Sequence, residues 1–438
     1  MSHLQSRGTV TGTFAPSFKR WRIQIFAVTW IAYAGYYFTR QSFSVAKVGI
    51  LDDPTVSASL TQQMLGVLDA AYLLAYAVGQ FVWGSLSDRF GPRVIVLGGL
   101  AMSAVAAVFM GFTTAIVLFL PLMVVQGLAQ STGWSSLCKN MACFFTIKER
   151  GRVLGLWSSN YAFGGLAAAP LVGWVAYSLF DNWRASFFAG AAVVAVVLVI
   201  VAVGQRNKPE DVGLDRVDVL DQDAEERRAL VAEREARLGW RDQVKLALSD
   251  RMIVTLGATY FLLKPARYAI LLWGPVLVTQ RIPGVTNLEA VIIPVAFGVA
   301  GLAAPILIGT VSDKLFKARR VPPCVLSLLG LVVALAVFMP MTASGSVPLM
   351  VLMLAVIGFT VYAADAMISC VSAVDFGTSE RAGTSAGFVN GCGSIGAVLG
   401  GLLPGFIGGT ALFYGFAASA LLAALILAPH WNRMPTHA

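Results

Sequence analysis

Gly84-Ser-Leu-Ser-Asp88-Arg89-Phe-Gly91-Pro-Arg93 sits between two long apolar runs, and it has an echo. Gly309-Thr-Val-Ser-Asp313-Lys314 follows another apolar run 225 positions later. Glu149-Arg150-Gly151 and Glu380-Arg381-Ala382-Gly383 repeat at an offset of 231, and Arg40 and Arg267, each within an apolar run, at 227. Three features at nearly one offset imply a duplicated chain, two units each built on the same run of segments.

The composition around these motifs is that of a membrane protein. Hydrophobic residues make up 57% of the chain and charged residues 13%, against about 25% charged in a soluble domain. Apolar runs long enough for the roughly 20 residues that cross a bilayer recur near 22–46, 64–85, 93–112, 115–144, 152–178, 186–204, 253–279, 287–309, 322–341, 347–373, 382–405 and 409–428. Twelve spans place both termini on one side. Lys148, Arg150, Arg152, Lys317, Arg319, Arg320 and Arg433 fall on that side too, while the opposite loops hold little beyond Asp52, Asp53, Asp181, Arg184 and Arg281. Cytoplasmic loops carry such an excess of Lys and Arg, so the termini are expected in the cytoplasm of a multi-pass inner-membrane protein. The same rule accounts for the net charge of +9 and removes the case for a nucleic-acid partner. The first apolar run follows Lys19-Arg20-Trp21-Arg22 and is too long and aromatic for a signal-peptide core.

Of the 23 acidic residues, 12 lie between Glu210 and Asp250. That mixed-charge segment reads as a solvated linker, giving an N-terminal six-helix half (1–205), a linker (206–251) and a C-terminal six-helix half (252–438). His3, His430 and His437 are all terminal, and the five cysteines lie in or beside apolar runs without metal-binding spacing. No nucleophile–base–metal set can be assembled inside the membrane, so the chain reads as neither an enzyme nor a metalloprotein, and it calls for no cofactor.

The motif at 84–93 resembles the signature between the second and third helices of the major facilitator superfamily. That resemblance implies an all-α fold of twelve helices in two pseudo-symmetric halves. It also implies a cytoplasmic gate using Gly84, Asp88, Arg89 and Arg93, their counterpart Asp313, and Arg150 and Arg381. A narrower resemblance is to the organophosphate:phosphate antiporters. It rests on Tyr33-Ala-Gly-Tyr36-Tyr37-Phe-Thr-Arg40-Gln-Ser-Phe43, Gln126-Gly-Leu-Ala-Gln-Ser-Thr-Gly133-Trp134, Lys208-Pro-Glu-Asp-Val-Gly213-Leu214, Arg267-Tyr-Ala-Ile-Leu-Leu-Trp273-Gly-Pro275 and Gly383-Thr-Ser-Ala-Gly387-Phe388. The family implies a monomeric carrier, in contact with membrane lipid, that exchanges a small phosphate-bearing anion for inorganic phosphate.

Charge inside a membrane marks function by default. Arg40 and Arg267, one per half, are the candidate anion-binding pair, because two guanidiniums can grip a phosphate in two-pronged fashion. Tyr33 and Tyr37 share one helical face at i and i+4; Trp134, Tyr161, Lys264 and Asp365 complete the expected substrate-binding set. The sequence also departs from the family: Gln41 and Gln80 stand where lysines are usual, Tyr161 where glycerol-phosphate carriers have histidine, Ser135 and Ser136 where there are paired prolines, and Tyr362-Ala363-Ala364 for Tyr-Gly-Pro. Lys264, Asp69 and Asp365 are added charges. Lys264 and Asp365 either neutralise each other or Asp365 serves a cationic group or a proton. Two other functions stay open: a proton-coupled carrier working through Asp69 or Asp365, and a non-transporting receptor for a sugar phosphate.

Overall fold

The computed structural model describes residues 16–145, 153–154, 156–157, 159–214, 251–317, 319–372 and 382–433. Twelve long helices run through them: α1 (Pro16–Asp52), α2 (Gln62–Phe90), α3 (Pro92–Phe112), α4 (Ile116–Phe144), α5 (Ser159–Trp174), α6 (Ala185–Gly204), α7 (Arg251–Arg281), α8 (Val295–Leu315), α9 (Val321–Met341), α10 (Val347–Ala366), α11 (Ala382–Phe406) and α12 (Gly409–Leu427). Helices α5 and α10 each end in a π-helical turn, Val175–Leu179 and Met367–Ser372. Helices suit a bilayer because each satisfies its own backbone polar groups.

Among the described residues, ten helical stretches are long and apolar enough by themselves to cross a membrane. Helices α1 and α2 fall below that measure. They carry Arg40, Lys47 and Asp69 among Thr, Tyr and Gln side chains, and these polar residues turn inward. The helix expected at 22–46 is longer than expected, Pro16–Asp52, while those expected at 152–178 and 287–309 have their long helices starting later, at Ser159 and Val295.

The helices sort into two packed units. One core of buried side chains is drawn wholly from 252–427, and a second comes from 25–201 with Val291 added. A third, around Phe119, Trp183 and Phe187, takes in Leu272, Trp273 and Val276 of the other half. That junction lies toward the end of the bundle away from the termini. Small residues let helices approach there. A Cβ on Gly66 of α2 would stand 2.8 Å from the Leu402 carbonyl oxygen and 3.0 Å from Gly405 Cα of α11. Close by, Gln62 Nε2 donates to the Pro404 carbonyl at 2.8 Å. Ser44 Oγ and Lys47 Nζ both donate to Leu272 O, at 2.8 and 3.0 Å. These hydrogen bonds join the halves in this region, and the bundle is closed at the end away from its termini.

That closure depends on bare backbone at 66 and 405. Gly66→Val overfills the contact, and overpacking costs about 1–3 kcal/mol. The closed-to-open ratio at this end should then fall roughly 5- to 150-fold. Spin labels at the exposed Ser59 and Ser344, one in each half, report it: a distance distribution unchanged by Gly66→Val would show that closure does not rest on this contact.

Candidate substrate site

Arg40 projects from α1 toward α2 and α4. Its Nε donates to Gln130 Oε1 at 2.9 Å, and the same oxygen accepts from the Tyr72 hydroxyl at 2.6 Å. Gln130 Nε2 in turn donates to Thr39 Oγ1 at 3.2 Å. The guanidinium carbon lies 4.6 Å from the Tyr37 ring centre and 5.0 Å from that of Tyr76. Arg40 is therefore aimed by a neutral amide and two aromatic faces, with no carboxylate bonded to it among the described residues. Its Nη2 is buried and makes no hydrogen bond. A buried donor left unpaired is costly.

Arg267 on α7 has a different environment. Its Nη1 meets Asp365 Oδ2 of α10 at 2.8 Å, and Lys264 Nζ meets Asp365 Oδ1 at 3.1 Å. The expected Lys264–Asp365 neutralisation is thus a three-member cluster, with one carboxylate shared by two cations. Lys264 and Arg267 stand one turn apart on α7, which puts both on one face. Aromatic faces again complete the shell: Tyr362 lies 4.4 Å from the Arg267 guanidinium, and Tyr260 and Tyr268 lie 4.5 and 5.5 Å from Lys264 Nζ. Arg267 Nε remains buried without a hydrogen bond.

Between the halves lies a cavity of about 360 Å³, within the usual range for a small-molecule site. Of the residues expected to bind substrate, Tyr37, Tyr161 and Arg267 line it, and Tyr362 joins them. Arg40, Tyr33, Trp134, Lys264 and Asp365 do not. Arg40 stands behind Tyr37, and Lys264 and Asp365 hold Arg267 from the far side. Tyr33 and Trp134 stack edge to face at 5.2 Å, and Trp157 lies 5.6 Å from Trp134, so these two support the α1 wall. The two arginines share surroundings: Tyr37 and Tyr268 each lie within electrostatic reach of both.

Sequence reading passed over Gln130, Tyr76, Tyr268 and Lys47. Lys47 was legible, since it follows Arg40 by seven positions, two turns along the same helical face. It is wholly buried in an ion pair with Asp69 of α2, its ammonium 4.1 Å from the Trp273 ring centre. Asp69, the alternative proton carrier, is thus an ion-pair partner at the closed end, outside the cavity.

The expected gate divides. Arg93 bonds to the end of α6 and the start of the linker: its backbone N–H donates to Asn207 Oδ1 at 2.8 Å and its guanidinium to the Ala202 carbonyl at the end of α6. Asn140 Nδ2 donates to the Arg206 and Asn207 carbonyls at 2.7 and 2.8 Å, tying α4 into the same clasp. Gly91 turns the chain between α2 and α3 with φ of +85°, a conformation that favours glycine. Arg89 is exposed at the end of α2. Gly84, Asp88 and Asp313 lie in the helical ends of α2 and α8, with the two Asp side chains outside the described residues; Arg150 and Arg381 are outside them altogether.

This architecture matches known proteins. The family model described as Major Facilitator Superfamily matches residues 29–401. The chain is 28% identical to a glycerol-3-phosphate transporter of Bacillus subtilis over 429 residues, covering 95% of this chain and 94% of that one. It is 27% identical to a probable hexose phosphate transport protein of Chlamydia trachomatis, covering 95% and 92%. It is 28% identical to the membrane sensor protein UhpC of Escherichia coli, covering 95% and 93%. In fold it is similar to a solved D-xylose–proton symporter, with a TM-score of 0.70 at 16% identity over 94% of this chain and 98% of that one. It is also similar to an inward-facing bacterial homologue of the human lysosomal transporter Spinster, with a TM-score of 0.69 at 15% identity over 94% and 96%. The chain belongs to the major facilitator superfamily, a membrane transporter fold and not an enzyme.

Proposed function

We propose that this chain carries a phosphate-bearing organic anion across the membrane by alternating access, in exchange for inorganic phosphate. The observation that carries the reading is charge balance around the cavity. Among the described residues, the cations Arg40, Lys264 and Arg267 stand around it with one carboxylate, Asp365, which pairs with Lys264 and Arg267, and both arginines retain a buried nitrogen without a hydrogen bond. Two positive charges are left over, which a phosphate dianion offsets. Exchange follows from the same balance, because occluding uncompensated charge carries a desolvation penalty that a bound anion removes. The names of its relatives, glycerol-3-phosphate and hexose phosphate transporters, support a phosphate-bearing solute.

The test is counterflow in proteoliposomes loaded with inorganic phosphate. Labelled phosphate should accumulate against unlabelled internal phosphate, and glycerol 3-phosphate or another phosphomonoester outside should compete. A second reading, a sensor that binds without carrying, is favoured by the similarity to a membrane sensor protein. Saturable binding of phosphomonoesters with no counterflow would select it. A proton-coupled carrier working through Asp69 or Asp365 is disfavoured, since both carboxylates are already ion-paired.

A further inference from the structure

The lining of the cavity is uneven, and the unevenness bears on what the anion carries. Its polar lining is Tyr37, Gln41 and Ser44 of α1, Ser159 and Tyr161 of α5, Arg267 of α7 and Tyr362 of α10. An apolar wall is made by Leu271 of α7, Leu166 of α5 and the α8 residues Val295, Phe297, Leu302 and Ile306, with Tyr362 packed on Phe297 at 5.4 Å between ring centres. Every lining residue contributed by the 291–306 segment is apolar or glycine. A sugar phosphate brings several hydroxyls beside its phosphate, and each buried hydroxyl without a partner is penalised. This wall has no side chain to bond one. An alkyl or aryl group gains from burial against the same surface. The wall also continues to the outside of the bundle: Leu302 is 41% and Ile306 73% exposed, on a face that meets lipid when the helices span a membrane.

Resting on the carrier reading above, we propose that the substrate is a phosphomonoester or phosphonate with an apolar organic group. Its anion would sit at Arg267 beside Tyr37, Tyr161 and Tyr362, and its alkyl or aryl part would lie against the α5–α8 wall.

The probe is exchange of labelled inorganic phosphate in proteoliposomes, with ethyl, butyl, hexyl and phenyl phosphate, glycerol 3-phosphate and glucose 6-phosphate as competitors. Half-inhibitory concentration should fall about two- to fourfold per added methylene, and hexyl and phenyl phosphate should compete at least about tenfold better than glucose 6-phosphate. Leu271→Gln combined with Val295→Thr should flatten the chain-length dependence, read as a ratio within the variant so that any change in overall rate cancels. The anion has two sources. Competition by hexyl phosphate in solution identifies a soluble ester; competition by phosphatidic acid in the vesicle membrane, with hexyl phosphate inert, identifies a lipid one. Either supports the class. Glucose 6-phosphate competing as well as or better than hexyl and phenyl phosphate would overturn it while leaving the carrier reading intact. Absence of both phosphate exchange and phosphomonoester binding would instead count against the carrier reading itself.

Discussion

Arg40→Lys and Arg267→Lys are each expected to abolish high-affinity anion binding while leaving a folded protein. Removing one partner of a buried charge interaction typically costs about 2–5 kcal/mol, which is roughly 30-fold to several thousand-fold in affinity. Lysine keeps the charge but not the planar fork, so it cannot make the paired hydrogen bonds of a guanidinium. Each arginine is also oriented by contacts that a lysine would lose. Arg40 uses its Nε on Gln130 and lies over Tyr37 and Tyr76. Arg267 uses Nη1 on Asp365 and lies over Tyr362. The two losses should combine non-additively, because the arginines act on one ligand. Phosphate affinity and counterflow for both single variants and the double variant decide the matter. Arg40 is the sharper test, since it lies outside the lining of the cavity: near-normal affinity in Arg40→Lys would reduce the site to Arg267 and its cluster.

Asp69→Asn and Lys47→Met are each expected to destabilise the protein more than any other single change at the closed end. Both side chains are excluded from water, with exposures of 1% and 0%. Breaking such a pair by removing one member strands the other charge, at a cost of about 3–5 kcal/mol. Lys47 also spans the two halves through Leu272 O and the Trp273 ring, so its loss should loosen the closed end as well. Replacing both residues together, Lys47→Met with Asp69→Leu, leaves no orphaned charge and should recover most of the loss. Unfolding in detergent, followed for both single variants and the double, provides the measurement. If Asp69→Asn proves as stable as the native chain, the carboxylate is not held as a charged partner, and a proton-carrying role returns.

The sequence by itself determined the class of molecule, the number of long helices and the duplication. These follow from apolar run length, from loop charge and from motifs repeated at a nearly constant offset, all of which are properties of order along the chain. It also picked out Arg40 and Arg267, since a charge within an apolar run is visible without coordinates. Only the tertiary structure decided which charges meet. Lys264 and Arg267 are a turn apart on α7, but Asp365 reaches both from α10. Lys47 and Asp69 are 22 residues apart and meet only because α1 and α2 pack side by side. Arg93 belongs to a motif associated with a gate, yet it is bonded to the end of α6 and the start of the linker through Ala202 and Asn207. The apolar wall of the cavity was equally hidden, because α5 and α8 read as apolar all round, whether a given residue faces lipid, a neighbour or the substrate. Helical periodicity distinguishes faces only where polar and apolar residues alternate around the axis. In a bundle surrounded by hydrocarbon, that contrast vanishes on most faces, and the fold alone assigns them.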